Sequence, residues 1–560
     1  MIRFSQYSFT KSIKYPISLK SFPSLNRSFW HISHSSKTDL QKAIEQCRIN
    51  LQTDIARIFK PKNNFINQNL NDNHFIILAS KNYSYQEIEA LPQSMNSQIH
   101  LFNNNIFNNL TQNSQQPDRI FGSITGAVLD KIYNESGILS DKGVSLLFYN
   151  QNLTKNTTPI KDNLSNSKNP RDQENSIFDN LEGLTPVPFS LGPGSSREKL
   201  KEDSVGKWYL NTTNMPRMFN DKTKNPDSLN PSQKSHIWTD FESVSKAEMR
   251  LKLPDELKRL VDEKKNVKLI LMVSDKNPNQ VLELLDIHFP YTTKYGVIGS
   301  QTPFLNGRDF TLFKDLNVNS EGLYGIAFCE DTKNPSFLLN NDIRVKTSYP
   351  GYKVISEPAK ITKCRGNMIL EINSEPAVKW LKSNIDKVLS DIKGPKKDLE
   401  FYLKVVNTHE NITDDDLQDA NISYKITGGD PSRGGISVGT INEFSDGQIV
   451  QIIHSPPKMV HLDGHNDTAD IPNCSISFQV APEEEFDSKK SEPTNEHITE
   501  TDDNNNKTEA NTSFKFGGAS HHGFFYGNPQ THTKQKEKYN NIVGQVSTDC
   551  SVPNAISYLK

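Results

Sequence analysis

The sequence predicts an α/β N-terminal region built from two related halves, followed by a mixed α+β C-terminal domain. An apolar strand, a helix, a strand ending in small residues and a second apolar strand follow one another twice, at residues 75–149 and 267–328. Such a repeat is typical of a duplicated α/β core. A hairpin and a strong amphipathic helix near Pro376 indicate a different, α+β arrangement. Long polar stretches between these parts predict disordered insertions.

Polar residues dominate the composition of the 560-residue chain, of which only 34% is apolar. That fraction is low for a globular protein, and the shortfall lies in stretches rich in Asn, Ser, Asp and Lys. No run approaches the ~18 apolar residues that a membrane-spanning helix requires, so we expect no membrane span. The five cysteines lie far apart without a CxxC pair, which favours neither a disulfide framework nor a cysteine zinc site.

Residues 1–38 have the composition of a mitochondrial transit peptide. They contain six basic residues, many serines and no Asp or Glu. Arg27-Ser28-Phe29 resembles the context in which matrix presequences are cleaved, so we expect a protein of the mitochondrial matrix. The alternative is a basic tail without a targeting role. Loss of residues 1–36 would remove five basic groups and lower the formal net charge from −2 to −7. An acidic body gives no support for nucleic-acid binding.

Residues 39–330 form the predicted α/β region. Its first half begins with a helix over 39–59, whose apolar residues recur at helical spacing. Apolar runs predict strands at 75–79, 99–102, 120–124 and 144–149. A short helix is predicted at 84–91, and we expect Pro92 to end it. Residues 150–245, polar and then rich in Pro, Gly, Ser and Asn, predict an irregular or disordered insertion.

The second half repeats this order after Pro254, a favourable first residue for a helix. Its predicted elements are a helix at 255–264, a strand at 267–273, a helix at 279–288 and strands at 296–299 and 323–328.

Residues 331–560 form the predicted α+β domain. Strands at 361–364 and 368–372 flank the hairpin turn Arg365-Gly366-Asn367, and Pro376 opens an amphipathic helix. The rest is predicted as strands around a disordered acidic insertion at 482–512: 401–405, 422–426, 435–441, 448–453 and 474–480, with segments at 514–526 and 555–559 completing the domain.

The stretch 361–377 resembles the C-terminal domain of the FIST family. There a strand, a Gly-Asn turn, a strand ending in Glu-Leu-Asp-Gly and a Pro-Ala pair that opens a helix recur; here Glu371-Ile372-Asn373-Ser374 replaces the tetrapeptide. The duplicated units before it resemble the FIST N-terminal domain, and together the resemblance covers roughly two-thirds of the chain. It implies a divergent mitochondrial member of a family of sensory modules that bind small ligands. FIST domains also occur in F-box proteins, but no F-box-like helical stretch is present.

The candidate ligand-binding residues lie at the small-residue strand ends and in a late glycine-rich loop. Ligands of α/β sheets bind beyond the carboxyl ends of strands, where small hydroxylated residues leave room and offer hydrogen bonds. The alternatives are ordinary tight turns. The candidates are Gly122, Ser123, Thr125, Gly299, Ser300, Thr302, His521 and His522.

Other polar clusters are interpreted as loops. The segment from His461 to Asp467 places imidazoles and carboxylates at short spacing, but it matches no metal signature, and a solvated loop is favoured. Gly428–Gly435 offers backbone N–H groups to an anion without fitting a known phosphate motif. Cys364 has no assignable base, so a core or hairpin thiol is favoured. The sequence therefore predicts no catalytic site, no metal and no cofactor.

The working hypothesis is a mitochondrial protein that binds or senses a small metabolite such as an amino acid. One alternative is a scaffold or adaptor in a mitochondrial assembly, such as the gene-expression machinery, whose polar insertions contact partner proteins. A second is an F-box-type adaptor relative or an enzyme whose nucleophile and base come together only in the fold.

Overall fold

The structure of the protein is a computed structural model. It describes residues 29–58, 73–107, 119–129, 139–140, 142–150, 181, 184–191, 253–276, 278–330, 343–391, 400–406, 421–430, 434–440, 444–455, 474–481, 514–529 and 547–559. Within them helices and many strands occur together, which confirms the mixed α/β class predicted from the sequence. Most of residues 150–245 and all of the predicted insertion at 482–512 lie outside the described residues.

The elements fall into three stretches of the chain. The first contains β1 (Phe29–Ser35), α1 (Leu40–Ile58), β2 (Asn73–Ser80), α2 (Tyr85–Phe107), β3 (Arg119–Thr125), β4 (Ala127–Leu129), β5 (Leu139–Ser140) and β6 (Val144–Asn150). The second contains β7 (Leu184–Leu191), α3 (Asp255–Asp262), β8 (Val267–Ser274), α4 (Asn279–His288), β9 (Thr293–Ile298), β10 (Gln301–Thr302), α5 (Pro303–Asn306), β11 (Arg308–Phe310), β12 (Leu312–Lys314), β13 (Asn317–Asn319) and β14 (Leu323–Glu330). The third contains β15 (Val345–Ser348), β16 (Lys353–Val354), β17 (Ala359–Arg365), β18 (Met368–Ile372), β19 (Glu375–Pro376), α6 (Ala377–Asp391), β20 (Phe401–Val406), β21 (Asn421–Asp430), β22 (Gly435–Val438), β23 (Ile449–His454), β24 (Cys474–Val480), β25 (Phe514–Ser520), β26 (Phe524–Gly527), β27 (Ser547–Cys550) and β28 (Ile556–Leu559).

Two sheets have the same strand order and the same connections. The first sheet runs β1-β6-β2-β3 and the second runs β7-β14-β8-β9. In each, the last two strands are parallel and the remaining pairs are antiparallel. One helix (α1 or α3) leads into the first parallel strand and another (α2 or α4) joins the two parallel strands. We call these the first and second units.

A third sheet has the order β15-β28-β24-β25, which is the order of the other two, and β24 and β25 are again parallel. We call it the third unit. The sequence analysis predicted only two repeated units and placed all of residues 331–560 in one C-terminal domain. The third unit was missed because long inserts separate its strands: a barrel between β15 and β24, and residues 482–513 between β24 and β25. Unequal inserts remove the sequence period on which recognition of a repeat depends.

Each unit also extends the sheet of another unit. After its third strand the first unit sends out β4–β5, which pairs with β25 of the third sheet. The second unit sends β12–β13 to β3 of the first sheet, and the third unit sends β26–β27 to β9 of the second sheet. The exchange is cyclic, so every sheet is completed by strands from a neighbouring unit.

Apolar residues fill the space between the three sheets and cover two of their outer faces. The largest cluster joins residues of all three sheets with residues of the barrel, among them Leu78, Leu271, Phe478 and Ile369. A second cluster packs α1 and α2 on the first sheet, and a third packs α3 and α4 on the second. Because strand faces alternate with a period of two, one sheet supplies both a central core and a helix-covered face.

The helix α2 contradicts two sequence predictions, because it continues through Pro92 and includes the predicted strand at 99–102. Ser84 and Glu87 form a capping box at its start: Ser84 N donates to Glu87 Oε2 at 2.8 Å, and Glu87 N lies 3.4 Å from Ser84 Oγ. The apolar face of the helix carries it past the proline, since five fully buried side chains recur at helical spacing: Ile88, Leu91, Met95, Ile99 and Phe102. Burial of this face outweighs the lost hydrogen bond at Pro92.

Two strands, β1 and β7, occur in segments that the sequence analysis assigned to the leader and to the insertion. Within the predicted leader, β1 pairs with β6 over its whole length and buries Ile32. Within the predicted insertion, β7 pairs with β14 at the edge of the second sheet. Pro186 and Pro188 lie on β7 and have no N–H to donate, which an edge strand tolerates when those positions face away from the neighbouring strand.

A closed antiparallel barrel is inserted between β15 and β24. Its order is β23-β17-β18-β22-β21-β20, and pairing of β20 with β23 closes it. The hairpin β17–β18 turns at Gly366, whose φ of +59° suits glycine. This hairpin and α6 confirm the secondary structure predicted for 361–377. None of the described helices is long and apolar enough to cross a membrane.

Candidate functional site

The carboxyl ends of the parallel strands from all three units meet at one junction. Ser300, just beyond β9, donates its backbone N–H to the carbonyl oxygen of Ile124 on β3 at 2.9 Å. Its side chain lies 3.4 Å from Ser520 Oγ, at the end of β25. The small-residue strand ends chosen from the sequence therefore lie side by side, and the late glycine-rich loop joins them.

Two of the candidate glycines are required by close packing. A Cβ atom on Gly299 would lie 2.5 Å from Ser123 Oγ, so the first and second units approach each other at this position. A Cβ atom on Gly122 would collide with the backbone of Ile77. Gly122 lies within β3, where it pairs with Ile77, and not at the strand end. Its role is to let neighbouring strands pack closely.

The candidate hydroxyl groups bind to the protein itself. Ser123 Oγ donates to the carbonyl oxygen of Ile124 at 3.1 Å, and Thr125 Oγ1 donates to that of Ala127 at 3.0 Å. Thr302 Oγ1 lies 2.7 Å from Thr311 Oγ1. All of these side chains are buried, as is that of Ser300. They close the junction and do not line a hollow.

Two small cavities in the described part of the chain lie elsewhere. One lies between α1, α2 and the first sheet beside Arg48, and the other lies in the central core beside Met272 and Phe516. Each offers about 10 Å³ to water-sized spheres, which is close to the minimum for one water molecule. Neither has room for a metabolite.

Half-buried polar residues lie beside the junction. Among them, Lys81 and His521 are in contact with each other. Lys81 directly follows β2, His521 directly follows β25, and Lys81 Nζ lies 2.8 Å from His521 Nε2 although 440 residues separate them. A lysine ammonium has only donors, so Nε2 accepts and the proton of a neutral ring lies on Nδ1. A Cβ atom on Gly126 would lie 3.4 Å from Nε2, so this glycine leaves room for the ring.

Residues of the second and third units complete this group. His522 donates its backbone N–H to Ser520 Oγ at 3.2 Å, and its ring centroid lies 5.5 Å from that of Phe310. Next to Phe310, Arg308 forms an ion pair with Glu89 of α2. Every unit therefore contributes to this group. We call Lys81, His521, His522 and Phe310 the basic rim.

Lys81 has a counterpart in the second unit. The residues before the two lysines make the same hydrogen bond, since Ser80 N donates to Gly143 O at 3.0 Å and Asp275 N donates to Gly322 O, also at 3.0 Å. Lys276 therefore occupies the position equivalent to Lys81, although it lies two residues beyond the end of β8 and Lys81 lies one residue beyond the end of β2. The sequence analysis missed Lys81, although a lysine two or three residues after the first apolar strand of both predicted halves was a visible signal.

The remaining sequence candidates gain no chemical role. Cys364 is half-buried, and its Sγ lies 3.2 Å from the carbonyl oxygen of Phe444 and 3.3 Å from Asp446 Oδ1. Gly428, Gly429 and Asp430 end β21 and pair with β22, which begins at Gly435. Residues 431–433 and the segment from His461 to Asp467 lie outside the described chain. The described residues contain no group of three or more His, Cys, Asp or Glu that could hold a metal ion.

Comparison of the chain with protein-family models and with curated protein sequences found no match. The resemblance to the FIST family therefore stays a prediction.

Proposed function

We propose that the protein binds a small anionic metabolite, such as the carboxylate of an amino acid, at the basic rim. The observation that supports this proposal most strongly is the 2.8 Å contact between Lys81 Nζ and His521 Nε2. It joins the first and third units at the carboxyl ends of their strands, the part of an α/β sheet where ligands bind.

The chemistry of the rim suits a carboxylate. An ammonium and two imidazoles offer several N–H donors, and hydrogen bonds between charged groups are stronger than those between neutral ones. The Phe310 ring beside His522 supplies an apolar wall. The buried hydroxyls of the junction hold the strand ends in place beneath the ligand and do not contact it.

A thermal-shift screen of the full chain tests this function. Amino acids and small dicarboxylates should raise the unfolding temperature of the wild-type protein, because a ligand at 100 times its Kd stabilises by ~2.7 kcal/mol. Lys81→Met and His521→Asn should lose most of this increase. Lys276→Met removes the equivalent lysine of the second unit and should keep it. Absence of a shift with every compound, or equal losses in the Lys81 and Lys276 variants, would contradict the proposal.

We further propose that this binding protein is a divergent FIST-type module of the mitochondrial matrix. The acid-free, basic segment that precedes β1 supports the location, and the Gly366-centred hairpin followed by α6 supports the family. Import of the labelled full chain into isolated mitochondria tests the location. Protection from external protease that depends on membrane potential is expected, and import that is unchanged without the potential would contradict it.

A second candidate function, an adaptor in a mitochondrial assembly, is favoured by Phe304. This side chain is 105% exposed in the short helix α5, and phenylalanine is enriched at protein interfaces relative to the rest of the surface. Phe304→Ser should abolish partner recovery in affinity purification and leave ligand-induced thermal shifts unchanged. Recovery of the same partners by both proteins would eliminate the adaptor role of this residue.

A further inference from the structure

The contact between Lys81 and His521 restricts the protonation state of the histidine. Lys81 Nζ lies 2.8 Å from His521 Nε2, and an ammonium can only donate, so the ring in this contact is neutral. A protonated ring carries an N–H on both nitrogens and has no acceptor left. It would also bring a second positive charge beside the ammonium, which disfavours both charges. Protonation of His521 and its contact with Lys81 therefore exclude each other.

The backbone next to each side chain is held by hydrogen bonds that do not depend on this contact. Lys81 donates its backbone N–H to the carbonyl oxygen of Thr125 at 2.8 Å. Ser520, directly before His521, accepts the backbone N–H of His522 through its Oγ at 3.2 Å. A change of protonation therefore moves side-chain atoms, while the two residues stay neighbours at the strand ends.

The other charged groups around His521 come from all three units. Among the described residues these groups are Lys81, His522 and the ion pair of Arg308 with Glu89. The described surroundings of the ring thus supply a positive charge in direct contact and a carboxylate that Arg308 already engages. A carboxylate that enters the rim can accept from Lys81 and from a protonated His521 at once, and hydrogen bonds between charged groups are the stronger ones.

We propose that the basic rim takes up one proton together with its carboxylate ligand. In the ligand-free protein His521 is neutral and accepts from Lys81. When the carboxylate enters, a proton from the solvent adds to Nε2, and Lys81 Nζ and the new Nε2–H both donate to the carboxylate oxygens. This coupling rests on the proposed function of the rim and adds its regulation by pH. Imidazoles change charge between about pH 5 and 8, so the ligand should bind more tightly as the pH falls through that range.

NMR of the full chain with ¹³C-labelled histidine tests the coupling, with acetate as the probe at constant ionic strength balanced with chloride. Acetate should move the ring signal of His521 towards the position of a charged imidazole at neutral pH. Its apparent Kd should be at least ~10-fold lower at about pH 6 than at about pH 8, where one coupled proton allows up to ~100-fold. His521→Asn identifies the signal and should abolish the pH dependence. His100→Asn removes an exposed imidazole of α2 and should keep it.

The variant Lys81→Met gives a second readout that needs no ligand. It removes the ammonium that engages Nε2, so the ligand-free ring should become charged at a pH at least ~0.5 units higher than in the wild type. Lys276→Met changes the equivalent lysine of the second unit and should leave the titration of His521 as it is.

The outcomes separate this coupling from the function on which it rests. Acetate that binds without charging the ring, or binds equally well at both pH values, would overturn the coupling and leave the proposed function standing. A His521 signal that acetate leaves unperturbed at either pH would overturn both. An unchanged titration of His521 in Lys81→Met would show that the lysine does not hold the ring neutral, and the coupling would fall.

Discussion

Lys294 and Asp286 form a fully buried ion pair. Removing one of the two charges should destabilise the fold strongly, whereas removing both should cost little. Lys294 Nζ donates to Asp286 Oδ1 at 2.9 Å and to the carbonyl oxygen of Phe289 at 2.7 Å. Ser547 of β27 donates to the same carboxylate through its N–H at 2.8 Å and its hydroxyl at 2.6 Å. The pair therefore fixes the strand exchange between the third unit and the second sheet.

The size of the effect follows from burial. The two side chains are 0% and 3% exposed, so Lys294→Met leaves a carboxylate in the interior without its counter-charge, which costs ~3–5 kcal/mol. Burial lowers the pKa of Lys294 although Asp286 opposes that shift, which means that desolvation outweighs the attraction. The double variant Lys294→Met with Asp286→Asn removes both charges and keeps an acceptor for Ser547. We expect it to stay within ~1.5 kcal/mol of the wild type.

Urea unfolding followed by circular dichroism measures both variants. The single variant should lower the unfolding midpoint without changing the slope with denaturant, because the surface exposed on unfolding stays the same. The double variant should recover most of the lost stability. A loss below ~1 kcal/mol in the single variant, or an equal loss in the double variant, would refute this account of a buried pair.

Three further substitutions or truncations test the packing of the units. Burial lowers the pKa of His31 from 6.5 to about 4. As the pH falls, the unfolded chain binds a proton at this histidine before the folded protein does. The free energy of unfolding should therefore fall by ~3 kcal/mol between pH 6.5 and pH 4. His31→Gln should lose that dependence, whereas a variant of the exposed His100 should keep it, as measured by urea unfolding across this pH range. Gly299→Ala should lower the free energy of unfolding by ~1–3 kcal/mol, because its Cβ would lie 2.5 Å from Ser123 Oγ. Adding Ser123→Ala to the same chain should restore most of this stability in thermal unfolding. An additive loss in the double variant would contradict the proposed clash. A chain that begins at Ser36 loses β1 and the buried Ile32, so it should unfold at least ~2 kcal/mol more easily than a chain that begins at Phe29. Equal denaturant midpoints of the two truncations would mean that β1 contributes nothing to the first sheet.

Much of the fold could be predicted because its elements follow local periodicity. The fully buried strand β2 is a continuous apolar run, and α6 has a clear helical stripe. Local signals failed where tertiary packing decided the outcome. Pro92 indicated a helix end, but the buried face around it continues the helix. In β1 and β7 the polar residues and prolines hide edge strands that form by pairing with a neighbour.

The candidate site could be predicted only in part. Ser123, Gly299 and Ser300 lie near the carboxyl ends of parallel strands, where ligands of α/β sheets bind, as the sequence predicted. They belong to two different sheets, so their convergence depends on how the units pack. Whether a hydroxyl faces a ligand or a backbone carbonyl depends on packing within ångströms, which residue type does not encode. The pairing of Lys81 with His521 depends on the third unit, whose existence the long inserts conceal.

Calorimetric titration of the metabolite found by the thermal-shift screen tests the central claim most directly when it is carried out as a double-mutant cycle. Wild type, Lys81→Met, His521→Asn and the double variant are titrated with the same compound. If the two side chains hold one anionic group together, each single change should cost most of the shared interaction, and the losses should be non-additive by ~0.5 kcal/mol or more. Strictly additive losses, or full affinity in the double variant, would show that the contact between Lys81 and His521 is not a ligand site.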